Sequence, residues 1–226
     1  MTLRPPVSLH DYYGSTQTAA PATEPVTAAE LRAHLIVDST QLTDDAANAL
    51  ITDARTEIEN RLNIAMITQS WRFSIDRWPG GAEAWWDGVR QMAASELYGR
   101  NALTSLNMPR FPLQSITSVT VYDEDSNAAS VNVAQTFDVD TRRTPGRITL
   151  KNGATWPVAL RANNAIEIVY VAGYGSAAQV PAPLKRAVRD LAAYLYSHRG
   201  DGCDPSEAFN MSGAATATNV YKVFRI

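Results

Sequence analysis

Residues 43–75 read TDDAANALITDARTEIENRLNIAMITQSWRFSI, and the spacing of their apolar side chains changes midway. Up to Leu62 the apolar residues recur every three or four positions, which predicts a helix that packs on one side. Its apolar stripe comprises Ala47, Leu50, Ala54, Ile58 and Leu62, and its solvent face is expected to hold Asp53, Arg55, Glu57, Glu59 and Arg61. From Trp71 to Ile75 the period is two, which predicts a strand. A helix and a strand in so short a stretch indicate an α+β fold.

Two more helices are predicted on either side of this region. Thr27 and Glu30 have the spacing of a capping box, in which each side chain accepts a hydrogen bond from the other residue's backbone N–H. Near the C-terminus, Pro183 suits the first turn of a helix that runs to about Arg199, and Gly200 is placed to cap its end. The stripe of this last helix comprises Leu184, Val188, Leu191 and Leu195.

Short runs rich in valine, isoleucine and threonine lie between these helices, separated by turn residues. They predict strands over 115–122, 137–140, 147–151 and 165–171, forming a small antiparallel sheet or sandwich. A further helix is predicted over 82–98, with a buried set of Trp85, Val89, Met92 and Leu97.

The chain is therefore expected to have three parts. An extended N-terminal arm covers residues 1–26, where proline, threonine and alanine dominate. The main domain spans 27–200 and carries helices over 27–36, 43–62 and 183–199 with a β-rich insertion over 68–175. A flexible tail with an apolar tip follows over 201–226.

Composition excludes several classes of protein. The 226 residues carry a net charge of −3, without the excess of lysine and arginine that binding to nucleic-acid phosphates requires. Cys203 is the single cysteine, so no intramolecular disulfide forms and a reducing compartment is predicted. No apolar run approaches the length of a membrane span, and the polar N-terminus does not resemble a signal peptide. We expect a soluble protein made in the cytoplasm.

The sequence predicts no catalytic, cofactor-binding or metal-binding residue. Asp123, Asp125 and Asn127 have the opening spacing of a calcium loop, but alanines occupy the sixth and twelfth positions, so a hairpin turn is predicted instead. The three histidines lie in separate segments without the paired spacing of a zinc site. Cys203 has no local signature of an activated nucleophile, and no Gly-x-Ser-x-Gly elbow occurs.

Aromatic residues outside the predicted stripes indicate contact surfaces. Trp85 and Trp86 are adjacent on a predicted helix and point about 100° apart, so burying both requires two covering surfaces. Tyr12 and Tyr13 are placed to anchor the N-terminal arm on a neighbour. The tip over 221–226 either folds back on its own domain or docks on a partner.

Several short motifs follow one another along the chain in an order typical of one protein family. It begins with VTAAELRAHLIVD at 26–38 and ITQSWRF at 67–73. It continues with WPGG, WWDGVR, PRFPLQSI, PGRI and VYVAGYG, which start at 78, 85, 109, 145 and 169, and ends with Val-Pro at 180–181. In this order, over about residues 26–200, the sequence resembles the head–tail connector (adaptor) proteins of long-tailed phages, prophages and gene transfer agents.

The resemblance implies a structural role in a virion or phage-like particle assembled in the host cytoplasm. It implies a homo-oligomeric ring, usually a dodecamer, that binds the portal protein on one side and a tail-joining stopper or terminator protein on the other. DNA would pass through the axial channel without sequence-specific binding. In such a ring, we expect the portal to be contacted by Tyr221, Phe224, Arg225 and Ile226. The subunit interface is expected to include Tyr12, Tyr13, Trp85 and Trp86.

Two other functions remain open at this stage. A tail or baseplate module could recognise a glycan or a protein through exposed members of the set Trp71, Trp78, Trp85, Trp86 and Trp156. An enzyme is the third hypothesis, and it requires a pocket with convergent polar groups.

Overall fold

The computed structural model of the chain describes residues 13–78, 105–151, 154, 160–200 and 205–222. The chain divides into two units. We call residues 20–69, 110–112 and 172–226 the helical unit, and residues 1–19, 70–109 and 113–171 the sheet unit. Long helices occur in the first and antiparallel strand pairs in the second, which confirms the predicted α+β class.

The helical unit begins with the predicted capping box. Helix α1 spans Ala28–Leu35, and Thr27 caps it. The backbone N–H of Thr27 donates to Glu30 Oε2 at 2.7 Å, and that of Glu30 donates to Thr27 Oγ1 at 3.2 Å. Helix α2 spans Asp44–Leu62, one residue shorter than the predicted 43–62, because Thr43 is its N-cap. Asn63 ends it in the left-handed region, at a φ of 56°.

Two 3₁₀ turns and three further helices follow among the described residues of this unit. They are a turn at Ala177–Gln179, α4 at Ala182–Ser197, α5 at Pro205–Met211, α6 at Ala214–Thr218 and a turn at Asn219–Tyr221. Helix α4 packs against both α1 and α2. Of its predicted stripe, Leu184, Val188 and Leu191 are buried, and Leu195 is half-buried.

The cap at the end of α4 is His198 and not the predicted Gly200. The backbone N–H of His198 donates to the carbonyl oxygen of Tyr194 at 3.0 Å, and its imidazole stacks on the Tyr194 ring at 3.9 Å. The regular helical backbone ends at Ser197, since His198 has a φ of −106° and a ψ of 33°, so the helix stops before it reaches the glycine.

The expected flexible tail is also different in the structure. Residues 205–221 form α5, α6 and a 3₁₀ turn, and both helices pack against α4. Phe209, Ala214 and Thr218 are buried in this contact. The apolar periodicity of the sequence did not predict these helices, because most of their residues are small or polar. One buried aromatic side chain and a few alanines supply most of the packing.

Two sheets occur among the described residues of the sheet unit. The five-stranded sheet comprises Tyr13–Ala19 (β1), Gln69–Ile75 (β2), Leu113–Tyr122 (β4), Ala128–Val131 (β5) and Ile166–Ala172 (β8), in the order β1-β2-β8-β4-β5. The three-stranded sheet comprises Ser105–Asn107 (β3), Phe137–Asp140 (β6) and Arg147–Leu150 (β7), in the order β3-β7-β6, and the short helix α3 spans Val133–Thr136. The predicted strands are all present, with ends shifted by at most two residues.

The core of the sheet unit follows the alternation read from the sequence. Trp71, Phe73 and Ile75 are buried on one face of β2, as predicted. Strand β8 alternates in the same way, with Ile166, Ile168 and Tyr170 buried. Trp78 is buried as well, and its ring lies 5.0 Å from that of Phe137.

The helix predicted over 82–98 lies outside the described residues. Among the helices that the structure does describe, none combines the length and apolar character needed to cross a bilayer.

Candidate interaction surfaces

Part of the expected solvent face of α2 is buried. Arg55 and Glu59 are only 6% and 4% exposed, so their placement on the solvent face was wrong. The segments that hold Glu24 and Met66–Gln69 cover them, which helical periodicity within α2 does not reveal. Glu57 and Arg61, by contrast, pair with each other at the surface, as an (i, i+4) pair on a solvated face does.

The two buried charges belong to one hydrogen-bonded network. Arg55 donates from Nε to Glu24 Oε2 at 2.7 Å and from a terminal nitrogen to Glu59 Oε2 at 2.6 Å. The other oxygen of Glu59 accepts from the backbone N–H of Met66 at 2.6 Å and from Gln69 Nε2 at 2.7 Å. Each carboxylate oxygen of Glu59 is therefore satisfied, as a buried charge requires.

Burial and pairing act in opposite directions on these groups. Burial raises the pKa of Glu59, and the guanidinium of Arg55 together with the donated hydrogen bonds offsets only part of that rise. Burial lowers the pKa of Arg55, but the carboxylates of Glu24 and Glu59 outweigh it and the pKa is raised. The network holds α2 to the chain on either side of it and does not present a group to a ligand.

Three of the ordered sequence motifs meet at the C-terminal end of α2. Arg110 donates to the carbonyl oxygen of Glu59 and to Asn60 Oδ1, both at 2.6 Å, which places a cation at the negative end of the helix. The backbone N–H of Gly173 donates to the carbonyl oxygen of Pro112 at 2.9 Å. The backbone N–H of Tyr174 donates to the carbonyl oxygen of Met66 at 3.2 Å. We call residues 64–69, 110–112 and 172–175 the motif junction.

Gly173 is required at the motif junction for two reasons. Its φ of +135° lies in a region that side chains disfavour, and a Cβ placed on it would lie 2.5 Å from the carbonyl oxygen of Ile67. The Gly-Tyr-Gly run thus allows two backbone segments to approach closely. These three motifs therefore share a structural role, since their backbone segments pack closely against one another.

A shallow groove of about 310 Å³ lies on the helical unit. Its lining includes His34, Asp190, Tyr194, His198 and Met211. His34 Nε2 lies 3.4 Å from Asp190 Oδ1, while the imidazole of His198 is held against Tyr194. The two serines in its lining donate to backbone carbonyl oxygens: Ser197 Oγ to that of Ala193 at 3.0 Å and Ser212 Oγ to that of Phe209 at 3.1 Å. Across the described residues, no three histidine, cysteine or acidic side chains converge as a metal site.

The outer strands of the five-stranded sheet are its most exposed elements. Residues 14–19 of β1 are exposed on both faces, although Ser15 and Gln17 lie opposite the buried Phe73 and Trp71 of β2. At the other side of the sheet, Ala128, Ala129 and Ser130 of β5 are exposed as well. Directly opposite residues of an antiparallel pair share a face, so the core of the sheet unit ends at β2 and does not extend under β1.

The predicted interface residues are only partly described. Tyr13 begins β1 and pairs with Ile75. Tyr221 lies in the 3₁₀ turn after α6, half-buried against the helical core. Burial raises the pKa of Tyr174, and the nearby Tyr221 adds to that rise. The other predicted interface residues lie outside the described ranges: Tyr12, Trp85, Trp86, Phe224, Arg225 and Ile226.

Sequence reasoning missed the exposed edges and the buried network. Strand β1 reads YGSTQTA, which lacks the apolar alternation that marks a half-buried strand. The absence of charge and proline in that run is the one signal that could have indicated an edge open to pairing. For the network, the (i, i+4) spacing of Arg55 and Glu59 was visible, but the same spacing occurs in surface pairs.

Comparison with solved structures identifies proteins of the same fold. A chain in the neck of an empty gene transfer agent (GTA) particle, computed with C6 symmetry, superposes with a TM-score of 0.71 at 22% identity. A chain in the neck of a native GTA particle, computed with C12 symmetry, gives 0.65 at 23%. A chain in the virion of a native GTA particle gives 0.65 at 20%.

These matches extend from end to end. Each covers 94% of this chain and 96–97% of the neighbour. At such identities the likeness establishes a shared fold. No protein-family model and no curated protein matches the sequence.

Proposed function

We propose that the chain is a structural head–tail adaptor in the neck of a phage-like particle. One observation carries the proposal: its fold matches chains in GTA neck and virion structures over nearly the full length of both partners. Fold alone does not assign function, but a match of this extent to chains from one kind of assembly favours a component of that assembly.

The proposed adaptor forms a ring of identical subunits below the portal. Neck structures computed with C12 and C6 symmetry are consistent with that arrangement. A closed ring needs a contact in which two different surfaces of the subunit meet head to tail. A net charge of −3 supports a channel that lets DNA pass without gripping it, since phosphate binding would need clustered cations.

Within this proposal the tip over 221–226 binds the portal. Tyr221 packs on the helical core, so it would fix the direction in which the chain leaves α6, and Phe224, Arg225 and Ile226 would make the portal contact. Trp85 and Trp86, with Tyr12 and Tyr13, would lie between subunits. The tail-joining protein would bind the other side of the ring.

The rival function, recognition of a glycan through exposed tryptophans, loses part of its support. Trp71 and Trp78 are both buried in the sheet unit, so neither can line a surface groove. The remaining three tryptophans lie outside the described residues. The exposed outer strands contain no aromatic ring over residues 14–19 and 128–131, so these segments offer no stacking surface for a sugar.

Native mass spectrometry of the full chain, alone and mixed with the portal protein from the same gene cluster, tests the proposal. We expect a ring, or a multimer that forms only with the portal. Deleting residues 223–226 should abolish the portal-dependent species and leave Tyr221 in place, while the surface change Val220→Ala serves as the matched control. A chain that stays monomeric with and without the portal contradicts the proposal.

A further inference from the structure

Helix α1 ends on an isoleucine in a backbone conformation that isoleucine avoids. Ile36 has a φ of 59° and a ψ of 44°, which lie in the left-handed region. Among the described residues, the other non-glycine residues with a positive φ are Asn63, Ser126 and Asn164, all of them small and polar. A β-branched residue is strained in this region, because its Cβ crowds the following carbonyl oxygen.

The end of α2 shows which residue the same turn ordinarily takes. After α1, the backbone N–H of Val37 donates to the carbonyl oxygen of Arg32 at 3.2 Å. After α2, the backbone N–H of Ile64 donates to the carbonyl oxygen of Glu59 at 3.1 Å. Both are the long bond of a Schellman motif, which favours glycine or asparagine at the left-handed position. Helix α2 has Asn63 there, so the turn itself does not require an isoleucine.

Burial within the chain does not offset the strain at Ile36. Its side chain is 91% exposed, so the isoleucine adds little to the packing of its own fold. Backbone strain of this kind is concentrated at functional and ligand-binding sites. The isoleucine is therefore better explained by a contact that forms when the protein assembles.

The shallow groove of the helical unit starts at the same end of α1. His34, two residues before Ile36, is part of its lining. Met211 also lines the groove, and it is 68% exposed. The stacked rings of Tyr194 and His198 complete this part of the surface. An aromatic-lined groove with exposed apolar side chains is the kind of surface that binds proline-rich segments.

Charge does not select what binds in the groove. Its one acidic side chain, Asp190, already lies 3.4 Å from His34 Nε2 and 3.3 Å from Arg186 Nε. A basic segment would have to compete with these partners. We therefore expect a binding segment that is apolar rather than charged.

The N-terminal arm has such a composition before β1 begins at Tyr13. Residues 1–12 read MTLRPPVSLHDY, and their apolar members include Leu3, Pro5, Pro6, Val7 and Leu9. Adjacent prolines favour an extended conformation that loses little entropy on docking. When extended, residues 1–12 span up to about 40 Å. Since the 16 residues of α4 are about 24 Å long, the arm can cross a helical surface.

We propose that residues 3–9 of one copy dock in the groove of the next copy, against Ile36 and Met211. This inference rests on the proposed ring and identifies one contact between its subunits. The arm and the groove are different surfaces of the same subunit, so the contact is heterologous and can repeat around a closed rotation. It agrees with the expectation that Tyr12 and Tyr13 lie between subunits.

Cross-linking between two distinguishable full-length chains tests this contact. Both chains carry Cys203→Ser. One also carries Ser8→Cys in the arm, and the other, which is tagged, carries Ser197→Cys at an exposed position of the groove lining. The chains are co-expressed, purified through the tag and treated with a short bismaleimide. We expect a covalent dimer of one tagged and one untagged chain, and much less of it when Ala49→Cys on the exposed face of α2 replaces Ser197→Cys.

The outcomes separate this inference from the proposed function. A ring without the mixed dimer overturns arm docking and leaves the adaptor proposal intact. A chain with both cysteines that cross-links only within itself also overturns the contact between copies. A mixed dimer without any ring supports arm docking and contradicts the ring. Absence of both the dimer and any multimer, with or without the portal, overturns both proposals.

Ile36→Asn provides an independent readout, because its effects on folding and on assembly should be opposite. Asparagine tolerates the left-handed conformation, so the melting temperature of the unassembled chain should rise by about 2 °C or more. Loss of the apolar side chain should weaken assembly by about tenfold or more in native mass spectrometry. The control Val220→Asn changes a residue that is 89% exposed and lies outside the groove lining, and it should have neither effect.

Deleting residues 2–9 should weaken assembly to a similar degree. In that shortened chain Ile36→Asn should cause no further loss, since the two changes remove the same contact. Additive losses would overturn the assignment of the arm to Ile36. A fall in melting temperature that parallels the loss of assembly would overturn it as well, since the isoleucine would then act through the fold.

Discussion

Arg55 and Glu59 form an ion pair of 2.6 Å one turn apart on α2, with side chains only 7% and 5% exposed. Glu24, in the segment before α1, also forms an ion pair with Arg55. The backbone N–H of Met66 donates a hydrogen bond to the carboxylate of Glu59. The pair therefore ties three stretches of the helical unit together at a place where water is excluded.

Breaking this pair from one side should destabilise the helical unit strongly. Arg55→Met keeps the side-chain volume but leaves the carboxylate of Glu59 buried without its cation. We expect a loss of about 3–5 kcal/mol in the free energy of unfolding, measured by urea denaturation.

The matched control for that change is Arg61→Met on the same helix. Arg61 also pairs at (i, i+4), but both partners are about one third exposed. Its loss should change the free energy of unfolding by about 1 kcal/mol or less. Equal effects of the two substitutions would show that the Arg55 pair is not buried in solution.

Gly173→Ala should destabilise the motif junction. The added methyl group would meet the carbonyl oxygen of Ile67, and the φ of +135° disfavours any side chain. We expect a loss of about 2 kcal/mol or more in the free energy of unfolding. Gly14→Ala is the control, since nothing lies within 4 Å of a Cβ there, and it should be close to neutral. A stable Gly173→Ala protein would contradict the close approach of the two segments.

The capping box predicts a dependence of stability on pH. The backbone N–H of Thr27 lowers the pKa of Glu30, since it donates to the ionised carboxylate. This contribution is fully present above the ordinary glutamate pKa and is lost as the pH falls through the lower value of the folded state. The stability difference between the wild type and Glu30→Gln should therefore shrink between about pH 6 and about pH 3. A difference that stays constant over that range would contradict the capping assignment.

The packing of the C-terminal helices is testable at Phe209. This side chain is 4% exposed, and the guanidinium of Arg61 lies 4.9 Å from its ring centroid. Phe209→Ala should lower the free energy of unfolding by about 3–5 kcal/mol. Met211→Ala, at a position that is 68% exposed, should stay within about 0.5 kcal/mol of the wild type. A flexible tail would instead make both substitutions neutral.

Local signals in the sequence predicted much of the fold. The capping box at Thr27, the stripe of α2 and the alternation of β2 depend on neighbouring residues, so they are readable from a single sequence. The helices over 205–218 were missed because they bury small residues and one phenylalanine, a pattern too sparse to show a period.

Features that depend on distant segments were not predictable in the same way. The burial of Arg55 and Glu59 requires knowing that residues near Glu24 and Met66 cover α2. The strand order, and with it the identity of β1 and β5 as edges, depends on pairings across up to about a hundred residues, which periodicity does not encode. The order of the motifs carried the functional prediction, and the end-to-end likeness to neck chains shows that the fold is shared with them.

Electron cryo-microscopy of particles from the cells that encode this chain tests the central claim most directly. The chain would carry a small tag at its N-terminus, and mass spectrometry would establish that it is part of the purified particles. The account predicts a ring of tagged subunits in the neck, below the portal. Particles with complete necks that contain no copy of the chain would contradict it.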